Sequence, residues 1–244
     1  MNSIINYTLY LADNALILGQ RNSAWCGHGP VLEQDIAITN ISLDLIGQAR
    51  SLYQYAADML GNGATEDSLA YLRTEREFKN CLLTEQPNGD WAQTILRQFF
   101  FSTYQFYLYQ SLLAHADSNL AAIAEKSLKE VRYHLRWSSE WVIRLGDGTE
   151  ESNRRICKAV DELWCYTGEF FIPAEYETAA GANPAGLKEA FYTKVKEVFT
   201  QATLALPENV FMQTGGKNGV HTEHLGFILS ELQYMQRSYP GCEW

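Results

Sequence analysis

Apolar positions recur along most of this chain three and four residues apart, the spacing that stacks side chains on one face of a helix. Residues 3–21 carry Ile5, Leu9, Leu16 and Ile17 near one face. Residues 31–60 carry Leu32, Ile36, Ile41, Leu45 and Leu52 and stop at Gly61-Asn62-Gly63, a helix-ending signal. The pattern predicts a shorter helix over 66–83 and an aromatic-heavy one over 91–115. Further helices are predicted over 119–145, 149–171, from near Pro184 to 203, and over 222–238. The breaks have their own chemistry. EQPNGD (85–90) reads as a turn, in which Asp90 with Gln93 starts the next helix. Asp117 opens the helix over 119–145 and Gly146-Asp147-Gly148 closes it; Thr149 caps the one after. AAGANPAG (179–186) reads as a loop, and 207–219 as irregular. No alternating strand pattern competes, so the chain reads as all-α.

One internal repeat sharpens the architecture. DLIGQAR (44–50) laid over EVRYHLR (130–136) matches Asp44 with Glu130, Gln48 with His134 and Arg50 with Arg136, an offset of 86 residues (130 minus 44). Each copy follows another long helix. A helical hairpin used twice and facing itself is the plan of a ferritin-like four-helix bundle, here with additional helices. No linker is long enough to demand a second domain, so one domain over 1–244 is expected.

That plan invites a test for metal. Ferritin-like di-iron proteins take a lone Glu from each of two helices and a Glu-x-x-His pair from each of the other two. The five histidines are His28, His115, His134, His221 and His224, and three residues before them stand Trp25, Leu112, Val131, Asn218 and His221. None is an acid. In the repeat the liganding pairs fall at Leu45 with Gln48 and at Val131 with His134. Leu and Val offer no donor atom, and a neutral Gln is a weak ligand. The stretch 91–115 contains no Asp or Glu. The outline of a metal site is present and its ligands are not. Asp44 and Glu130 read instead as members of a buried polar network, His134 paired with Glu130 one turn away and Arg50 and Arg136 close by.

Composition narrows the rest. A net charge of −10 with no basic stripe excludes nucleic-acid binding. No apolar run of eighteen residues exists, so no membrane span is expected. The first twenty residues show no basic start or small-residue cleavage site, so no signal peptide is expected. Five cysteines (Cys26, Cys81, Cys157, Cys165, Cys242) without a C-x-x-C suit reduced thiols and a cytoplasmic setting. TGGKNGVHTEHLG (214–226) is the most unusual string. Gly215, Gly216 and Lys217 before a helix start form a weak candidate for gripping phosphates such as those of CoA. The plainer reading is a tight turn packed on the bundle or on a partner. His221 and His224 lack the further ligands of a zinc set. The aromatic run Phe99–Tyr109 reads as core filling, or else as a face buried against another subunit.

LEQDIAITNISLDLIGQAR (32–50), EQPNGD, KEVRYHLR (129–136) and TGGKNGVHTEHLG closely resemble the PaaC-type subunits of bacterial phenylacetyl-CoA epoxidases, along essentially the whole chain. The resemblance implies a ferritin-like fold and a structural subunit without a cofactor of its own. It also implies a catalytic partner, the A-type subunit, with a di-iron centre, which converts phenylacetyl-CoA to its ring 1,2-epoxide with O2, and a reductase feeding electrons to the complex. The setting it implies is aerobic phenylacetate degradation. The helices over 31–60 and 91–115 are expected to supply much of the subunit interface. Two other classes compete: a free-standing di-metal oxidase using Asp44, Glu130 and His134, and a CoA-binding accessory module built on Lys217.

Overall fold

A computed structural model describes residues 2–242. Helix α1 (Asn2–Ser23) and helix α2 (Leu32–Leu60) form one hairpin. After α3 (Glu66–Tyr71) and α4 (Leu82–Glu85), helices α5 (Trp91–Leu112) and α6 (Ser118–Gly146) form a second. The two hairpins face one another as a ferritin-like bundle. Tyr10 of α1 meets Tyr104 of α5, hydroxyl to hydroxyl, at 2.9 Å. Then come α7 (Glu150–Leu163), α8 (Glu175–Ala179), α9 (Lys188–Gln201), α10 (Glu223–Leu232) and α11 (Tyr234–Ser238). Helices α7 and α9 pack on the second hairpin, α8 and α10 on α1. No strand occurs among the described residues, and no helix there is long and apolar enough to cross a membrane.

The local signals act where the sequence places them. The Asp90 carboxylate accepts the Gln93 amide at 3.1 Å. Asp117 accepts the amides of Asn119 and Leu120, each at 3.0 Å, and Thr149 accepts that of Ser152 at 3.2 Å. Each cap satisfies an otherwise orphaned amide, worth about 1 kcal/mol.

Three predicted helices are shorter than their patterns. The segment after α3 leaves the helix at Tyr71, because side chains from elsewhere claim its amides. Asp13 takes that of Lys79 at 2.8 Å, Asn14 that of Cys81 at 2.9 Å, and Glu169 that of Leu82 at 2.7 Å. The chain there makes one 3-10 turn, Glu75–Glu77, and then runs extended to α4, held to α1 at Lys79 and Cys81. The helix predicted over 149–171 ends at Leu163 and continues as two 3-10 turns. The last helix breaks at Gln233, whose side-chain amide bonds the carbonyls of Ala70 and Arg73.

The aromatic run of α5 is core. Phe100 packs on Trp164, Phe191 and Phe199, and Tyr104 stacks on Phe170 with centroids 4.4 Å apart. Because these rings are buried within their own chain, α5 does not offer the wide subunit interface expected of it.

Candidate functional site

The repeat brings its polar residues together at the seam of α2 and α6, in crossed pairs. Gln48 and His134 are buried, whereas Asp44 and Glu130, expected in a buried network, are half-buried and reach the surface. His134 Nε2 lies 2.9 Å from Asp44 Oδ2, and Gln48 Nε2 donates to Glu130 Oε2 at 2.8 Å. Asp44 and Gln48 ascend α2 while their partners descend α6, so the two helices are antiparallel and the pairs obey the pseudo-two-fold of the repeat. His134 therefore does not pair with Glu130 along its own helix. Arg50 and Arg136 also stand outside the network. Each follows Gln48 or His134 by two residues, about 200° around a helix, and both are exposed. Arg50 approaches Glu66 at 3.5 Å, and Arg136 lies over the Tyr133 ring.

Two participants come from α5 and were not singled out in the sequence. Gln105 Nε2 donates to Gln48 Oε1 at 3.0 Å, and the Tyr109 hydroxyl donates to the same oxygen at 3.4 Å. Both ends of the Gln48 amide are thus engaged. Burial pushes the Tyr109 phenol up, so it stays a neutral donor. The signal that could have found them is their spacing: a Gln and a Tyr four apart share a face in an aromatic-rich run.

The donor chemistry does not match a di-iron set. Leu45 and Val131 are wholly buried hydrocarbon. The α5 positions nearest Gln48 are an amide and a phenol rather than carboxylates. Among the described residues, no three His, Cys, Asp or Glu side chains converge closely enough to hold a metal ion. What the arrangement does chemically is tie α2 to α6. Gln34 Oε1 accepts from the indoles of Trp137 and Trp141, at 3.0 and 2.7 Å. Tyr55 donates to Asp117 at 2.6 Å. With the crossed pairs these rungs fix the register of the two helices along most of their length.

The glycine-rich string forms a second buried cluster. The Lys217 ammonium lies within 3.2 Å of both Glu177 oxygens and the carbonyls of Phe170 and Ile172. It also sits over the Tyr10 ring. Lys217 is buried and fully engaged, so it is not free to grip a phosphate. The Gly215 amide is turned onto Glu169 at 2.8 Å, not outward to a ligand. A Cβ at Gly216 would collide with the Asn80 carbonyl, so glycine is needed there for close packing on the segment before α4. Burial raises the Glu169 carboxyl, while the amides of Leu82, Gly215 and Lys217 pull it back down.

His221 closes the string onto Glu85. Its Nδ1 lies 2.8 Å from Glu85 Oε2 and its Nε2 3.0 Å from the Phe78 carbonyl. Both partners are acceptors, so the ring binds as an imidazolium with two donors. Burial pulls that cation down. The bond and charge of Glu85, with the Phe78 carbonyl, outweigh it and hold His221 above its ordinary value. A raised folded value means that the stabilisation is complete below the unfolded value of about 6.5. It is lost as pH rises through the folded value. Urea unfolding of the wild type and His221→Gln, compared between about pH 6 and pH 9, should show a wild-type advantage that shrinks as pH rises. An advantage that grows instead would exclude the imidazolium.

The chain has a relative that it matches from end to end. Over 249 residues it is 47% identical to the C-type subunit of the 1,2-phenylacetyl-CoA epoxidase of Escherichia coli (strain K12), with 100% of each chain covered. The family model described as "Phenylacetic acid catabolic protein" matches residues 1–244. A full-length match to that model, and nearly half of all positions shared with the epoxidase protein, place this chain in the phenylacetic acid catabolic protein family.

Proposed function

We propose that this chain is a non-catalytic, structural subunit of a multicomponent monooxygenase that epoxidises the ring of phenylacetyl-CoA. It scaffolds the catalytic subunit, which holds the di-iron centre, and carries no cofactor itself. The observation that carries this reading is the set of side chains at the ligand positions of the bundle. Where a ferritin-like oxygenase needs carboxylates and imidazoles open to a metal, this chain has Leu45, Val131 and an amide bonded at both ends. The full-length similarity to a C-type epoxidase protein supplies the reaction. The engaged ammonium of Lys217 speaks against a CoA-gripping module.

Iron content tests this directly. The purified chain is reconstituted anaerobically with Fe(II), desalted and assayed, alone and with the A-type catalytic subunit of the complex. The expected result is essentially no iron on the chain alone, and phenylacetyl-CoA epoxidation only when the A-type subunit is present. About two irons per chain, with O2-dependent turnover by the chain alone, would make it an oxidase using Asp44, Glu130 and His134.

A further inference from the structure

Three Asn-Gly pairs occur along the chain, at Asn62-Gly63, Asn88-Gly89 and Asn218-Gly219. Asparagine before glycine is prone to cyclise, because no Cβ shields the backbone nitrogen that attacks the side-chain amide. In sequence the three pairs are alike. The fold holds them very differently.

Asn88 is locked. Its Nδ2 donates to the Arg21 carbonyl at 2.8 Å, and its Oδ1 accepts from the buried Arg97 at 2.6 Å. At Asn218-Gly219 the attacking group is engaged, since the Gly219 amide donates to the Gly216 carbonyl at 3.0 Å. A Cβ at Gly219 would collide with the Arg76 carbonyl, so that turn is packed and has little room to rearrange. Asn62-Gly63 has none of these restraints. Both residues are exposed. Among the described residues, no hydrogen bond engages the Asn62 side chain or the Gly63 amide. Open space surrounds the turn: a Cβ at Gly61 or at Gly63 would meet no atom within 4 Å. The bond that closes it runs from the Ala64 amide to the Gly61 carbonyl at 3.0 Å, spanning the pair without using it.

We infer that Asn62 is a site of spontaneous deamidation and isoaspartate formation in the folded protein, selected over the other two pairs by the fold. The Gly63 nitrogen attacks Asn62 Cγ. A C–N bond forms, the bond to the side-chain nitrogen breaks, and that nitrogen leaves as ammonia with the proton released from Gly63. Water then opens the five-membered succinimide at either carbonyl, to an aspartate or an isoaspartate at position 62. Water is the only co-reactant, and nothing is oxidised or reduced. The consequence falls on the joint of α2 and α3. The new carboxylate stands just past the C-terminus of α2, where the helix dipole already concentrates negative charge. Isoaspartate also adds one carbon to the backbone inside the turn that the Ala64 amide closes. Ala64 packs on the core, and Thr65 caps α3 by accepting the Ser68 amide at 3.1 Å, so the start of α3 loses its fixed position.

The test incubates the purified full chain at mildly alkaline pH and maps its peptides over time by mass spectrometry, with isoaspartate read by enzymatic methylation of its carboxyl. The folded protein is compared with the same chain held unfolded in urea. In the folded chain Asn62 should convert faster than Asn88 or Asn218 on the order of tenfold or more, because those sites must first break hydrogen bonds or open locally. In urea the three should convert at similar rates. Asn62→Gly suits the positive φ of 53° at this position, so it should keep a Tm close to the wild type and form no isoaspartate there. The aged wild type should melt lower than the fresh protein, and the aged variant should not. Equal conversion at the three sites in the folded chain, or faster conversion at Asn88 or Asn218, overturns the inference. So does isoaspartate at position 62 that forms only in urea. A preference for Asn62 that persists unchanged in urea overturns the role of the fold, and an aged wild type that keeps its Tm overturns the consequence for α3.

Discussion

Lys217→Met is expected to cost the chain about 3–5 kcal/mol of stability, the usual loss when one member of a buried ion pair is removed. Methionine has nearly the length of the lysine stem, so packing is largely kept and the loss reports the charge. What remains is a buried Glu177 carboxylate, with the carbonyls of Phe170 and Ile172, facing a thioether. For a chain of this size the loss corresponds to a Tm lower by roughly 10 °C. Lys217→Met combined with Glu177→Gln should recover part of it, since no uncompensated charge is left. Thermal unfolding of the three variants checks this. A loss below about 1 kcal/mol in the single variant would mean that the ammonium is not what holds the string in place. A gripping lysine for CoA would behave differently: its removal would spare stability and weaken CoA binding.

Asp13→Ala should be as severe, again about 3–5 kcal/mol, and its damage should be local in a readable way. Asp13 is wholly buried in α1. It accepts from the Tyr53 hydroxyl at 2.6 Å, from both terminal nitrogens of Arg73, and from the Lys79 amide at 2.8 Å. One carboxylate thus joins α1 to α2 and to the extended segment before α4. Without it the Arg73 guanidinium is buried beside Tyr53 and Phe78 with no counter-ion. The Lys79 amide loses its only acceptor among the bonds that hold that segment. Hydrogen exchange should therefore accelerate at Lys79 and its neighbours more than at the centres of α5 and α6. Uniform acceleration would sink the idea that Asp13 pins this segment. Arg73→Met in the Asp13→Ala background should return part of the stability, because it removes the stranded cation.

The two clusters show why the chain tolerates so much buried charge. Lys217, Arg73 and His221 each meet a carboxylate at hydrogen-bonding distance. Arg97 is the exception. It is wholly buried, and its bonds go to the Gln86 carbonyl and to the side-chain oxygens of Asn22 and Asn88. Burial, with the nearby Arg21 charge, lowers it to about 9. With Arg21, which donates twice to the Glu85 carbonyl, it clamps the turn 85–90 against α1. That turn is EQPNGD, one of the strings that stands out in the sequence. Its distinctiveness comes from the number of its groups that other side chains hold.

The sequence by itself determined the four long helices of the bundle, their caps where short polar side chains supply them, and the absence of the ligand motif. Those follow from spacing within a few residues, which a linear reading contains. Asp90, Asp117 and Thr149 cap because a short side chain reaches an amide two or three positions on, whatever the rest of the chain does. The repeat likewise named Asp44, Gln48, Glu130 and His134 from their order alone. Tertiary structure decided the partners. His134 bonds Asp44 and not Glu130, because α2 and α6 lie antiparallel and the facing helix is nearer to each side chain than its own next turn. It also decided where helices fail. The pattern over 66–83 is helical, yet the side chains of Asp13, Asn14 and Glu169 take the amides that a helix would have used. A backbone amide donates to whichever acceptor the fold brings closest, and these acceptors, 66 to 87 residues away, leave no mark in a local pattern.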